Sequence, residues 1–275
     1  MRFKPKVSSF PVELPPSGGD APSVLAFSMA KAGSTLLYNM LSKLAPEQDL
    51  VYFSIEDFLF SRNVSATNRP GAIGDVFKPT GYCYGGFRQF PAFPVRILHS
   101  SKTIFLVRDP RDMITSLYFS LLKSHRIPKS AARLGSFEDD EGAAKKMSDA
   151  RQRLQHTDIN VFARESVRAY MRMFEGYVAQ GFARRPNVAI YRYEDVIFAK
   201  EAWVEDICAW YEWDIDPARR RAVAAMFDEV PDEERPEEHI RQVTPGNHRA
   251  HLSPAASKFI FNALSEYMRL FGYTD

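Results

Sequence analysis

The sequence predicts an α/β protein: a single domain with a central, mostly parallel sheet flanked by helices. Three observations predict it. Short continuous apolar runs alternate with longer segments of helical periodicity, the pattern of a doubly wound sheet. The run Ser23-Val24-Leu25-Ala26-Phe27 passes through a turn containing Gly33 into the helix-like Leu36-Leu37-Tyr38-Asn39-Met40-Leu41. A strand, a Gly-containing turn and a helix start in that order present unpaired N–H donors to a phosphate-like anion. The apolar run Lys102 to Val107 meets Arg108-Asp109-Pro110, where Asp109 can cap a helix whose first position is Pro110.

Residues 1–22 carry Pro5, Pro11, Pro15, Pro16, Gly18, Gly19 and Pro22 and read as an irregular arm before a domain over 23–275. Ser23 to Leu44 holds the first strand and helix. Leu50-Val51-Tyr52-Phe53 reads as a second short strand, and Ile55 to Phe60 as a helix or turn. Residues 63–100 read as loop-rich and aromatic: Phe77, Tyr82, Tyr84, Phe87, Phe90 and Phe93 are broken by Gly81, Gly85, Gly86, Pro91 and Pro94. Such rings suit packing, or stacking on an acceptor ring. Lys102 to Val107 has the unbroken apolar character of a buried parallel strand. The following helix runs to about Lys123, with Met113, Leu117 and Leu121 on one face. Residues 126–157, polar and mixed in charge, read as a mobile flap or a solvated insertion. Ile159, Phe162, Ser166, Tyr170, Phe174 and Tyr177 recur at helical spacing, so a long helix spans Asp158 to Gln180 and ends at Gly181. Val188 to Tyr191 is a further strand, and helices follow near Lys200–Tyr211 and Pro217–Phe227. Pro231 to His251 reads as irregular, and a last helix runs from Ser253 or Pro254 to Phe271.

Bulk composition narrows the function classes. The 275 residues carry 36 basic and 34 acidic side chains, a net charge of +2, which argues against bulk electrostatic binding of nucleic acid or membranes. Cys83 and Cys208 lie far apart, so neither a disulfide framework nor a zinc cluster is expected. No apolar run approaches the length of a membrane span. The opening Met-Arg-Phe-Lys-Pro-Lys lacks the apolar core of a signal peptide, and a cytoplasmic location is the expectation.

The chemistry concentrates after two strands. In an open α/β sheet, ligands sit at the carboxyl ends of the strands, so Lys31 and Arg108 can converge on one crevice. Lys31 brings a mobile point charge, and Ser34 and Thr35 bring hydroxyl donors. The order of Lys31 before Gly33 departs from the nucleotide-triphosphate loop G-x-x-x-x-G-K-[ST], which disfavours a metal-dependent kinase or ATPase. Arg108 has the planar fork suited to a terminal phosphate. Ser116, about two turns into the next helix, comes within reach of the same anion.

Together these residues resemble the sulfotransferases that use 3′-phosphoadenosine 5′-phosphosulfate (PAPS). Ala30–Thr35 is similar to the family's P-K-[SA]-G-[ST]-[ST], with Ala30 in place of Pro. Phe105 through Ser116 is similar to [FY]-[LIV]-x-R-[ND]-P-x-D-x-x-x-S. Tyr191-Arg192-Tyr193-Glu194-Asp195-Val196 and the segment His239 to Arg249 are weaker matches; in the latter, Val243 replaces a Gly and His248 a Trp. The resemblance spans about residues 23–272. It implies that Lys31, Ala32, Gly33, Ser34 and Thr35 hold the 5′-phosphosulfate, and that Arg108, Ser116 and Arg241 hold the 3′-phosphate. Tyr193 and Phe227 are candidates to meet the adenine, since a ring can stack on a base. Lys31 stands where charge grows as sulfur is attacked in line, in a scheme that requires no metal.

Relatives acting on phenols and steroids use a His about twenty residues before the Arg of the second motif, whereas here that position falls on Gly85 to Arg88. Relatives modifying glycans use a Glu after the first helix, and Glu56 and Asp57 are the candidate bases, with His99 behind them and His248 a candidate to line the site. A glycan, glycolipid or other small metabolite is therefore the expected acceptor. The alternatives are a nucleotide-binding sensor without transferase activity, suggested by Val243 and His248, and a P-loop kinase.

Overall fold

The structure is a computed structural model that describes residues 12–60, 76–91, 93–124, 149, 151–229 and 242–274. Among them, strands β1 (Val24–Ser28), β2 (Val51–Ser54), β3 (Tyr82–Phe87), β4 (Thr103–Val107) and β5 (Val188–Arg192) form one sheet in the order β2-β3-β1-β4-β5. Every pairing within it is parallel. The single α/β domain expected from the alternating pattern is thus present, with the sheet wholly parallel.

The unbroken apolar runs are explained by burial on both faces. On one face Leu25, Phe27, Tyr84, Phe105 and Val107 join a cluster completed by α3 (Pro110–Phe119), α4 (Ile159–Ala179), α9 (Pro254–Ala263) and α10 (Ser265–Leu270). On the other, Val24, Ala26, Cys83, Ile104 and Leu106 meet α1 (Ser34–Leu44), α6 (Lys200–Tyr211) and α7 (Pro217–Met226). The centre of the first layer is aromatic: Phe105 stacks on Tyr177 at 4.3 Å between centroids and meets Phe182 edge-on at 5.2 Å. A fully buried ring of this kind contributes roughly 1.5–3 kcal/mol through removal of its surface from water. The remaining helices are short: α2 (Ile55–Phe60), α5 (Tyr193–Val196) and α8 (His248–His251).

The glycine- and proline-broken segment 63–100 departs from the loop expected there. Residues 82–87 form β3, paired with β2 on one side and β1 on the other. Gly85 and Gly86 weaken local strand propensity, yet two flanking ladders override it. Between Leu25 and Phe27 the register with β3 slips, so both glycines occupy the space opposite Ala26. Gly86 adopts φ +87, and a Cβ there would come within 2.1 Å of the Ser54 hydroxyl oxygen and 3.1 Å of Ser54 Cα. The bulge turns the end of β3 toward the first loop: Tyr38 OH donates to the Phe87 carbonyl, and Ala30 N–H donates to the Arg88 carbonyl at 2.8 Å. The rings at 82–87 are core residues.

Other departures are small. The helix after Pro110 continues to Ser124 through a wider π-helical turn, Ser120–Ser124. The expected terminal helix divides at Leu264, and α8 lies in a stretch read as irregular. Residues 151–155 are helical at the end of the expected flap, whose other residues before 149 lie outside the described ones. Residues 12–20 of the expected arm contain no helix or strand; Tyr82 OH donates to Pro15 O at 2.8 Å and Ser17 Oγ to Gly81 O at 2.9 Å. Among the described residues no helix is long and apolar enough to cross a membrane.

The strand order sets the crevice. From β1 the chain leaves through α1 toward β2; from β4 it leaves through α3 toward β5, on the other side. Connections that diverge from adjacent strands open a cleft at their carboxyl ends. We expect Gly86→Ala to lower stability by about 2 kcal/mol through its left-handed backbone and the Ser54 clash. Thermal melting should register this as a Tm lower by roughly 4–8 °C.

Candidate active site

The loop from β1 to α1 folds back on itself. Lys31 at φ +69 and Gly33 at φ +92 both take left-handed backbone, and Ala32 N–H closes a turn on Met29 O at 3.0 Å. Gly33 is also the N-cap of α1. It offers no side-chain hydrogen bond, and the first turn of α1 holds no acidic residue. Helices α3, α4, α7 and α9 instead receive side-chain caps from Asp109, Asp158, Asp216 and Ser253. The start of α1 is therefore a pole of positive dipole without a side-chain cap. Ser34 is buried, Thr35 exposed and Lys31 half-buried around it. From below, Tyr177 OH donates to Ser28 O at 2.7 Å, fixing the strand end from which the loop departs.

Arg108 follows β4 and reaches this loop. Its Nη1 donates to Lys31 O at 3.3 Å across 77 positions of sequence, and its guanidinium lies 4.2 Å from the centroid of the Tyr193 ring. The side chain is only 7% exposed, and its Nε–H has no partner among the described protein atoms. Tyr193 locks three segments together. Its face carries Arg108, its edge closes on Gly33 so tightly that a Cβ there would lie 2.7 Å from Cδ2, and its OH donates to Val243 O at 2.9 Å. Phe227 packs against the apolar cluster that contains Tyr193 and Leu106. Ser116 lies half-buried on α3; Arg241 lies outside the described residues.

Asp112, one turn after Arg108, was part of the second motif but carried no assigned role in the sequence reading. Its side chain is fully buried. Oδ2 accepts Gly246 N–H at 2.7 Å, and Oδ1 accepts His248 N–H at 2.9 Å and meets His248 Nδ1 at 2.8 Å. Arg108 Nη2 stands 3.8 Å away. Burial alone would raise the Asp112 pKa, but the His248 hydrogen bond and the Arg108 charge outweigh it and hold the carboxyl below its usual value. The two substituted positions of the last motif are thus built in: Val243 offers its carbonyl to Tyr193, and His248 pairs with Asp112. The spacing of Arg108 and Asp112, one helical turn apart, was the available signal.

Glu56 and Asp57 begin α2 at the mouth of the crevice. Glu56 Oε1 accepts Arg88 N–H at 3.0 Å, and the Arg88 carbonyl accepts Ala30 N–H at 2.8 Å, so a single residue links Glu56 to the Lys31 loop. Burial lifts the Glu56 carboxyl from its ordinary 4.5 to about 7, opposed by the Arg88 and Gln89 hydrogen bonds and the Arg88 charge. Asp57 is different. It is 61% exposed, bonds Ser54 Oγ at 2.6 Å, and pairs with Arg88 at 3.5 Å. His99 lies before β4, at the far end of the strand from Arg108, with its Nδ1 3.0 Å from Arg185 Nη1. Among the described residues no group of three or more His, Cys, Asp or Glu could hold a metal ion.

A family model of the sulfotransferase domain matches residues 89–272, more than half of the chain, including Arg108, Ser116 and Tyr193. No curated protein matches the sequence. Among solved structures, mouse sulfotransferase SULT7A1 complexed with PAP aligns over 92% of this chain and 89% of its own, with a TM-score of 0.56 at 15% identity. Retinol dehydratase in complex with androsterone and inactive cofactor PAP aligns over 90% of this chain and 80% of its own, with a TM-score of 0.50 at 15% identity. These two likenesses are likenesses of fold. The family match covers β4, Arg108 and α3 and begins after the Lys31 loop; it takes in more than half of the chain, which accordingly belongs to the sulfotransferase family and is a transferase.

Proposed function

We propose that the chain transfers a sulfuryl group from PAPS to a hydroxyl or amino group of a glycan, glycolipid or other small metabolite. The observation that carries this reading is the contact of Arg108 with the Lys31 carbonyl. It sets an arginine fork beside an uncapped helix start, giving one crevice two anion-binding poles. A donor with a phosphosulfate at one end and a 3′-phosphate at the other has the complementary charge. Two features fit it: the open N-terminus of α1, and the buried Arg108 Nε–H, which has no partner among the described residues. Solved relatives of this fold that carry PAP support the same choice.

When bound, the donor supplies a sulfuryl group carried on a phosphate leaving group. Lys31 and the first N–H groups of α1, with the Ser34 and Thr35 hydroxyls, hold the phosphosulfate and stabilise negative charge that grows during transfer. Arg108, Ser116 and Arg241 hold the 3′-phosphate. Tyr193, whose ring lies 4.2 Å from the Arg108 guanidinium, and Phe227, packed against the same apolar cluster, meet the adenine. Glu56 accepts the proton of the acceptor, since a carboxyl with a pKa near 7 is both partly ionised and basic enough at neutral pH. Asp57 orients Arg88, whose main chain carries Glu56. The sensor alternative drew on Val243 and His248, and both are engaged in the site's own bonds.

Lys31→Ala should reduce kcat by about 10²–10³-fold while PAP affinity, measured by calorimetry, falls far less. Sulfate transfer by Glu56→Gln should lose about 10²-fold, and the ascending limb of kcat/KM near pH 7 should disappear with it. Stability moves in the opposite sense. The folded pKa lies above the unfolded one, so ionising Glu56 costs stability as pH climbs from 4.5 to about 7, and the cost is constant above that. Melting of Glu56→Gln should therefore exceed wild type above pH 7, with the gap closing toward pH 4.5.

A further inference from the structure

The C-terminal turn reaches the residue after Arg108 through a single side chain. Helix α10 stops at Leu270 in a paired-bond turn: Gly272 N–H donates to Arg269 O at 3.1 Å and Tyr273 N–H to Met268 O at 2.7 Å, with Gly272 at φ +77. Met268 and Tyr273, at the ends of the longer bond, are both buried in the cluster beneath the sheet. The turn sends the Tyr273 ring back toward the strand ends. There Tyr273 OH donates to Glu194 Oε2 at 2.9 Å, and Glu194 Oε1 accepts the N–H of Asp109 at 2.9 Å. Asp109 is the residue that follows Arg108.

Two arginines hold the same tail. Arg192 lies 4.6 Å over the Tyr273 ring and donates to Gly272 O at 3.4 Å. Arg111 donates to Thr274 O at 2.8 Å while its Nε and Nη2 grip the Asp109 carboxylate at 3.0 and 2.7 Å. The main chain at 108–109 is thus fixed through Asp109 by both Glu194 and Arg111, and each of these is tied to residues 273–274.

We infer that Tyr273 and Glu194 form a relay that positions Arg108, which makes the C-terminal tail part of the donor's 3′-phosphate subsite. The inference rests on the reading of Arg108 as the ligand of that phosphate. Neither Tyr273 nor Glu194 touches the donor; both act through Asp109 on the direction in which Arg108 leaves β4. A guanidinium fork gains from two parallel bonds only when its plane is fixed, so loss of the relay weakens recognition of the 3′-phosphate and leaves the 5′ end untouched.

The test compares binding of adenosine 3′,5′-bisphosphate with binding of adenosine 5′-phosphate by the full chain. Tyr273→Phe should lose about tenfold in affinity for the bisphosphate and leave the monophosphate unchanged. Glu194→Ala should lose more. Glu194→Gln, which keeps an acceptor for the Asp109 N–H, should return to within about threefold of wild type. Equal weakening of both nucleotides, or no change in either, overturns the relay. A wild-type chain with no preference for the bisphosphate overturns the reading of Arg108, and the relay with it.

Discussion

Arg108 is buried to 7% exposure with its positive charge intact, and the site is built around keeping it there. A guanidinium taken out of water needs compensation on every side. Here a Lys31 carbonyl takes one N–H, the Tyr193 ring covers one face and Asp112 supplies a counter-charge. Each of these partners belongs to a different segment and is itself held elsewhere. Tyr193 reaches Val243 and closes on Gly33; Asp112 collects Gly246 and His248. Compensating one charge thus assembles the Lys31 loop, α3, the end of β5 and the segment from 242 to 248 around one point. The Nε–H alone has no partner among the described residues.

The two carboxylates of α2 show how adjacent residues acquire opposite characters. Glu56 turns toward the main chain of Arg88 and is desolvated; Asp57 stays in water with Ser54 and the Arg88 side chain. One arginine serves both, through its amide for the first and its guanidinium for the second. The bulge at Gly86 sets this up, because it carries Arg88 out of the sheet and across to Ala30.

Local chemistry was readable from the sequence and long-range partnership was not. The Lys31 loop and the Arg108 helix start announce themselves because strand, turn and cap lie within a dozen residues. The alternation of strands and helices announced the sheet. Strand β3 was hidden because Gly85 and Gly86 look like breakers, and only neighbours on both sides turn them into ladder residues. Asp112 was visible as a letter of a motif but silent as to role, since its partners lie 134 and 136 positions away. Tyr177 gave a helical core spacing and nothing about the Ser28 carbonyl, 149 positions distant. Contacts of that span depend on topology, which periodicity alone does not encode.

The spans themselves carry a kinetic consequence. The bonds that complete the crevice join residues 77, 50, 79 and 149 positions apart, and the sheet that brings them together is parallel throughout. Closing such loops costs entropy before any contact returns it, so architectures of this type condense slowly. The loop at Lys31 can coil early from its own glycine and helix, but its arginine arrives only when the far strands have docked. The crevice between Lys31 and Arg108 is therefore a feature that this chain acquires late in folding, and its closure marks the completion of the whole sheet.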